Sequence, residues 1–231
     1  MSLLAGAASG AEFGSLREVP RDLALSVRAQ VAPEGLLILL ASGASFIAIN
    51  SDDAIQRTLQ RHAPMGVRAT DAGAILGNYA VLLPAAGAVY LAGGWTNATR
   101  IQEAGLMSLE ALTVAGVETE ALKLAVRRER PDGSDRLSFP SGHASASFSV
   151  ATVLASEYGW TAGVPAFLAA GFVGYTRMEK NKHHLSDVLF GAGLGVSAGR
   201  AAFKTRHAGH PERFAAVPFV QPGGGGLLIL F

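Results

Sequence analysis

The residues that could do chemistry fall in three separated stretches. The run Phe139-Pro140-Ser141-Gly142-His143 opens a small-residue apolar segment, a basic cluster of Lys123, Arg127, Arg128, Arg130 and Arg136 precedes it, and Arg177, His183, His184 and Asp187 stand at the head of a later apolar run. A proline and small residues leading into a helix leave first-turn N–H groups free where the helix dipole also favours an anion, and Gly142 lets a ligand approach the backbone. Ser141 is equally an ordinary N-cap. Lys123 and Arg130 are two helical turns apart and can reach one side of a site, Arg with a planar fork matched to phosphate and Lys with a compact charge. Arg127, Arg128 and Arg136 read as solvated charges at a helix end, which the dipole favours. The combination calls for a phosphate-like oxyanion.

His183 and Asp187, four residues apart, share a helical face. The spacing predicts that the Asp187 carboxylate accepts from one ring nitrogen of His183 and leaves the other unprotonated. An imidazole fixed that way can attack phosphorus. His183 is therefore the candidate nucleophile, and His143 the candidate general acid that protonates the leaving oxygen and later activates water. An unperturbed imidazole pKa near ~6.5 suits either role at neutral pH. Lys123, Arg130, Arg177 and the backbone N–H groups of Ser141 and Gly142 are placed to stabilise charge on a transferring phosphoryl. His184 points elsewhere and is either structural or substrate-facing. The scheme calls for no metal and no cofactor.

These residues need helices whose ends meet. The chain has 231 residues, of which 49 % are apolar, 16 % charged and 28 are glycines, with a net charge of +1. It is poorer in charge than an ordinary soluble domain, which leans toward a membrane and away from nucleic acid. Without cysteine there is neither a disulfide nor a thiolate ligand. Charge-free runs cover 35–51 and 72–99, an amphipathic pattern covers 100–128, and small-residue apolar segments cover 144–156, 161–175 and 186–203. Pro131 predicts that the helix through Lys123 ends at Arg130. The segment 52–71 reads as a short amphipathic helix in a solvated connection. The expected fold is an all-α bundle of six main helices, membrane-embedded, in which the ends of the third and fifth helices lie beside the starts of the fourth and sixth. Gly191, Gly193, Gly195 and Gly199 suit close helix crossings. The expected organisation is an N-terminal tail with a short amphipathic helix (1–34), the helical domain (35–203) and an irregular tail, basic and then Gly-rich (204–231). Residues 1–16 lack a basic start and make a poor secretory signal.

Taken together, Lys123-x6-Arg130-Pro131, Pro140-Ser141-Gly142-His143 and Arg177-x5-His183-x3-Asp187 resemble the signature of the type 2 phosphatidic acid phosphatase (PAP2) and vanadium haloperoxidase superfamily. The resemblance spans about residues 100 to 200 and implies an all-helical bundle, a metal-independent phosphohistidine mechanism and the roles given above. Thr176 stands where the family usually has serine, which keeps a hydroxyl. The expected activity is hydrolysis of a phosphomonoester or diphosphate carried by a lipid of the phosphatidic acid or prenyl diphosphate class. Alternatives are a soluble exported acid phosphatase, a vanadium-dependent haloperoxidase and a non-catalytic protein that binds lipid phosphates. The expected location is the membrane with the active face outside, because the basic carboxy-terminal end fits a cytoplasmic side; a soluble periplasmic protein is the alternative.

Overall fold

The computed structural model describes residues 18–43, 45, 49–62, 65–207, 215–221 and 224–230. The 1–16 segment lies outside them. Described helices follow in order: α1 (Val19–Gln30), α2 (Pro33–Gly43), α3 (Ile49–His62), α4 (Val67–Leu76), α5 (Tyr79–Trp95), α6 (Thr99–Val126), α7 (Gly142–Tyr158), α8 (Trp160–Glu179) and α9 (Leu185–Arg206). The fold is all-α in its body; beside the six main helices and the two short amphipathic ones expected, which are α1 and α3, the described residues hold one more, because the 72–99 run straddles a break between α4 and α5. The tail, expected to be irregular, carries an antiparallel hairpin of β1 (Ala215–Gln221) and β2 (Gly224–Leu230), with Pro218 opposite Leu227.

The centre of the bundle is the crossing of α7 and α9. A Cβ added to Gly191, Gly195 or Gly199 would stand 2.5, 2.3 or 2.6 Å from the carbonyl oxygens of Ser141, Ser145 and Ser149, respectively. Four-residue spacing on both helices thus brings backbone against backbone. Gly193 faces the other way and lies against Ser42 of α2. Around this seam Ile38, Phe148, Ala170, Met178, Val188 and Val196 join α2, α7, α8 and α9 in one apolar cluster. Burial of such side chains contributes roughly 1.5–3 kcal/mol each for the larger ones.

α1 lies on this bundle rather than beside it. Arg206 of α9 bonds Asp22 of α1 at 2.9 Å and the fully buried Glu110 of α6 at 2.7 Å, and Gln30 donates to Glu118 at 2.8 Å. No single described helix is long and apolar enough to cross a membrane. The pair α4 and α5, bent by 54° at their junction, has the length and composition together.

One helix boundary differs from expectation and matters for the site. α6 stops at Val126, four residues before Arg130, because Arg127 adopts the left-handed conformation at φ 51° and its N–H closes on the Lys123 carbonyl. For a residue with a side chain that conformation costs roughly 1–2 kcal/mol. What it achieves is a reversal that turns Arg128 inward.

Candidate active site

Four helix ends meet at one end of the bundle, where α6 and α8 finish and α7 and α9 begin. α7 starts through Ser141, an N-cap whose hydroxyl accepts from Ala144 N–H. The Ser141 N–H, expected to face a phosphoryl group, is instead donated to the Asp187 carbonyl at 3.0 Å. That bond ties the first turn of α7 to the first turn of α9. Among the described residues nothing accepts from the N–H groups of Gly142 and His143, the next two in the turn. Free first-turn donors at a helix N-terminus are suited to an anion. Lys123 reaches this turn, its Nζ being 3.4 Å from where a Gly142 Cβ would stand, while it also bonds Glu120 at 2.9 Å.

His183 is buried in the loop before α9, and its Nδ1 lies 2.7 Å from the Ser138 carbonyl oxygen. A carbonyl only accepts, so Nδ1 carries the proton and Nε2 keeps its lone pair. The predicted partner was Asp187, and the structure corrects this: the Asp187 carboxylate is 3.9 Å from Nδ1, beyond hydrogen-bond reach. Asp187 is turned away by its other donors. It occupies the third position of α9, where Oδ2 accepts from the His184 N–H at 2.8 Å in a capping box, and it also takes Ser138 Oγ at 2.5 Å and Arg128 Nη1 at 2.6 Å. Burial pushes the carboxyl up, but these donors and the Arg128 charge outweigh it and hold Asp187 well below the usual carboxylate range. His184, left open between two readings, caps α9 with its ring 3.3 Å from Asp187.

His143 stands in the first turn of α7 with Nε2 3.1 Å from the Ala74 carbonyl of α4. Burial first, then the nearby charges of Arg177 and Lys123, push its pKa down to about 3 against the opposing bond to the Ala74 carbonyl. Burial likewise pushes His183 down, against the opposing pull of Asp187, and Arg130 and Arg177 add to the decrease. Both imidazoles are neutral in a site crowded with cations.

Arg177, in the last turn of α8, is 8 % exposed. Its Nε is buried without a partner, and among the described residues no carboxylate or carbonyl accepts from the guanidinium. Burial and the neighbouring Arg130 charge lower its pKa. Arg130 lies beyond the helix in the 127–141 loop, where its Nε bonds Asp135 at 2.7 Å. A second loop locks this one, through Lys182 to Asp132 at 2.5 Å and Asp132 N–H to the Asn181 carbonyl at 3.1 Å. Thr176 takes no part: its hydroxyl donates to Val173 in its own helix and packs on Gly73.

Two further residues of the site carry no signal in the sequence motifs. Arg128, read as solvated, grips Asp187 and Ser186 with Nη1, both at 2.6 Å, and Asp52 with Nη2 at 2.9 Å. Asp52 lies in the segment read as a solvated connection, yet it is 1 % exposed and also accepts from the Ser186 N–H and hydroxyl. The physical reason is the turn at Arg127, which aims Arg128 at two carboxylates that need a cation in order to be buried.

The sequence family with this arrangement is identifiable. A family model described as "PAP2 superfamily" matches residues 104–210. Residues 104–210 belong to the PAP2 superfamily. A lipid A 1-phosphatase from Porphyromonas gingivalis is 32 % identical over 170 residues, which is 69 % of this chain and 36 % of that protein. The chain thus spans about a third of the length of that curated relative. The PAP2-type phosphatidylglycerolphosphate phosphatase of Bacillus subtilis, whose crystal structure is described as transmembrane, has the same fold at a TM-score of 0.63 and 21 % identity, over 82 % of this chain and 99 % of the other. Aquifex aeolicus LpxE follows at 0.55 and 24 %, over 66 % and 94 %. The PAP2 match covers α7, α8 and α9 and most of α6, and so leaves out α3 with Asp52.

Proposed function

We propose that this chain is a phosphatase that hydrolyses a phosphomonoester or diphosphate carried by a lipid, through a phosphohistidine on His183. The observation that carries the proposal is Arg177. A guanidinium buried with no carboxylate or carbonyl acceptor among the described residues is costly, and a phosphate supplies what it lacks. With the free N–H groups of Gly142 and His143, and with Lys123 and Arg130, it makes a cradle for a charged phosphoryl group.

The steps follow from the proton positions. With Nδ1–H held by Ser138, the Nε2 lone pair of His183 attacks phosphorus, forming the P–N bond as the bond to the leaving oxygen breaks. His143, protonated when the substrate's negative charge enters the site, gives its proton to that oxygen. Neutral again, it takes a proton from the water that then attacks phosphorus and breaks the P–N bond. None of these steps draws on a metal.

A lipid carrier is supported by two things. The named relatives are phosphatases of lipid A and of phosphatidylglycerolphosphate. The bundle also exposes large apolar residues on α5 and α8, among them Val89, Leu91, Trp95, Val164 and Leu168. We place the chain at a membrane, entered by the bent α4–α5 pair. The site lies outside, since Lys204 and Arg206 fall at the opposite end of α9.

The test is phosphate release in EDTA from phosphatidic acid, a prenyl diphosphate and an aryl phosphate, comparing the unaltered protein with His183→Ala. Turnover that the substitution abolishes is the expected result, with a lipid substrate preferred. No release from any of the three by folded protein would overturn the phosphatase reading.

A further inference from the structure

The carboxylate beside the candidate nucleophile does not touch it, so something else must fix the His183 proton. The Ser138 carbonyl does so, at 2.7 Å. Ser138 is itself held twice: its N–H donates to the Arg128 carbonyl at 2.9 Å, and its hydroxyl donates to Asp187 at 2.5 Å. The Arg128 guanidinium closes the loop on Asp187, and its second nitrogen is anchored on Asp52 of α3. Asp52 also receives the Ser186 N–H at 3.0 Å, at the head of α9.

We propose that Asp52 and Arg128 are positioning residues for His183, acting through Ser138 and Asp187 to keep the imidazole in the tautomer with Nε2 free. The role rests on the phosphatase reading above for its catalytic consequence but not for its geometry. Each link is a hydrogen bond with one chemical sense. Asp52 and Asp187 are buried carboxylates that only accept, Arg128 only donates, and its planar fork spans the two. Removing the Asp52 charge leaves Arg128 anchored at one end, free to withdraw from Asp187. Ser138 then loses the fixed acceptor for its hydroxyl, and its carbonyl is free to turn from Nδ1. α3 lies outside the PAP2 match, so the site is completed by a helix contributed from elsewhere in the chain.

The test uses the full chain in detergent with Asp52→Asn, which keeps shape and an acceptor, and with Arg128→Lys, which keeps charge and loses the fork. In both, kcat falls about 10- to 100-fold, the loss typical when the hydrogen-bond partner of a metal-bound histidine is removed and taken here for a histidine oriented in the same way, with KM little changed. Nitrogen NMR of labelled histidine reports the tautomer without turnover: the unaltered protein shows Nδ1 protonated, and the variants show a mixture. An unchanged kcat would overturn the proposal, as would a variant that loses activity while His183 stays wholly in the Nδ1–H form. If the unaltered protein releases no phosphate, the phosphatase reading fails by itself, and the NMR comparison still decides the positioning role.

Discussion

Replacing Arg177 by Met should make the protein more stable and much less active. The side chain is 8 % exposed, has an unpartnered Nε and lies near Arg130. Burying an ion costs several kcal/mol after relaxation, and here no carboxylate among the described residues repays it. Met fills a similar length with apolar atoms, so the gain should be about 1–3 kcal/mol, the size found when buried charges are replaced by packed apolar groups. For a chain of this size that corresponds to roughly 2–4 °C in Tm per kcal/mol. The same change removes a preorganised donor pair from the phosphoryl group and should lower kcat/KM by about 10²–10³-fold. Thermal unfolding in detergent, with and without inorganic phosphate, reads both sides. Phosphate at 100 times its Kd should stabilise the unaltered protein by about 2.7 kcal/mol and the variant by less. A Tm that drops by several degrees would show that Arg177 is structurally paired, and the anion-cradle argument would fall with it.

Gly195→Ala places a methyl 2.3 Å from the Ser145 carbonyl, a backbone atom that cannot swing aside, and should cost about 1–3 kcal/mol by thermal unfolding. Gly171→Ala, inside α8 where nothing lies within 4 Å, serves as the control and should instead stabilise by about 0.5–1 kcal/mol. For His143 the pKa is depressed from the ordinary value to about 3, so the unfolded chain binds more protons between those values and stability falls as pH drops through that window. His143→Gln should remove up to about 1.4 kcal/mol per pH unit of that slope, read as the difference between the two proteins' melting curves from pH 7 to pH 4; parallel curves would refute the assignment. Leu91→Lys with Val89→Lys, both exposed on α5, should reduce flotation with zwitterionic vesicles, where the lysines gain no surface charge to offset the lost apolar area, without lowering turnover of an aryl phosphate.

The three stretches around Lys123, His143 and His183 were readable because helix starts and ends announce themselves locally. Pro140, Ser141 and Gly142 predict a helix beginning, and it begins there. What stayed hidden is what depends on distance or on backbone. Asp52 contacts Ser186 across 134 positions, and no spacing rule reaches that far. Arg128 looked like the other arginines because its inward turn comes from a left-handed Arg127, an uncommon state for a residue with a side chain. The proton partner of His183 is a carbonyl, which every residue carries, so no residue type signals it. The four-residue rule placed Asp187 on the right face, but the capping bond to His184 N–H drew the carboxylate aside. In the tail, the glycines 223–226 suggest a linker by composition, yet Gly224, Gly225 and Gly226 pair with Gln221, Val220 and Phe219 in the hairpin.

The seam between α7 and α9 has a consequence for how such a protein can change. His143 rides on one helix and Asp187 on the other, and the pair is set apart by a distance no larger than glycine allows. Gly199 lies about 18 Å along α9 from Asp187, yet a methyl group there would pry at the same rigid joint. Mutations that loosen the bundle therefore also respace its reactive groups, and selection cannot trade one property for the other along this line. Adaptation to a new substrate has to come from the outer helices, which touch the cradle without holding it open.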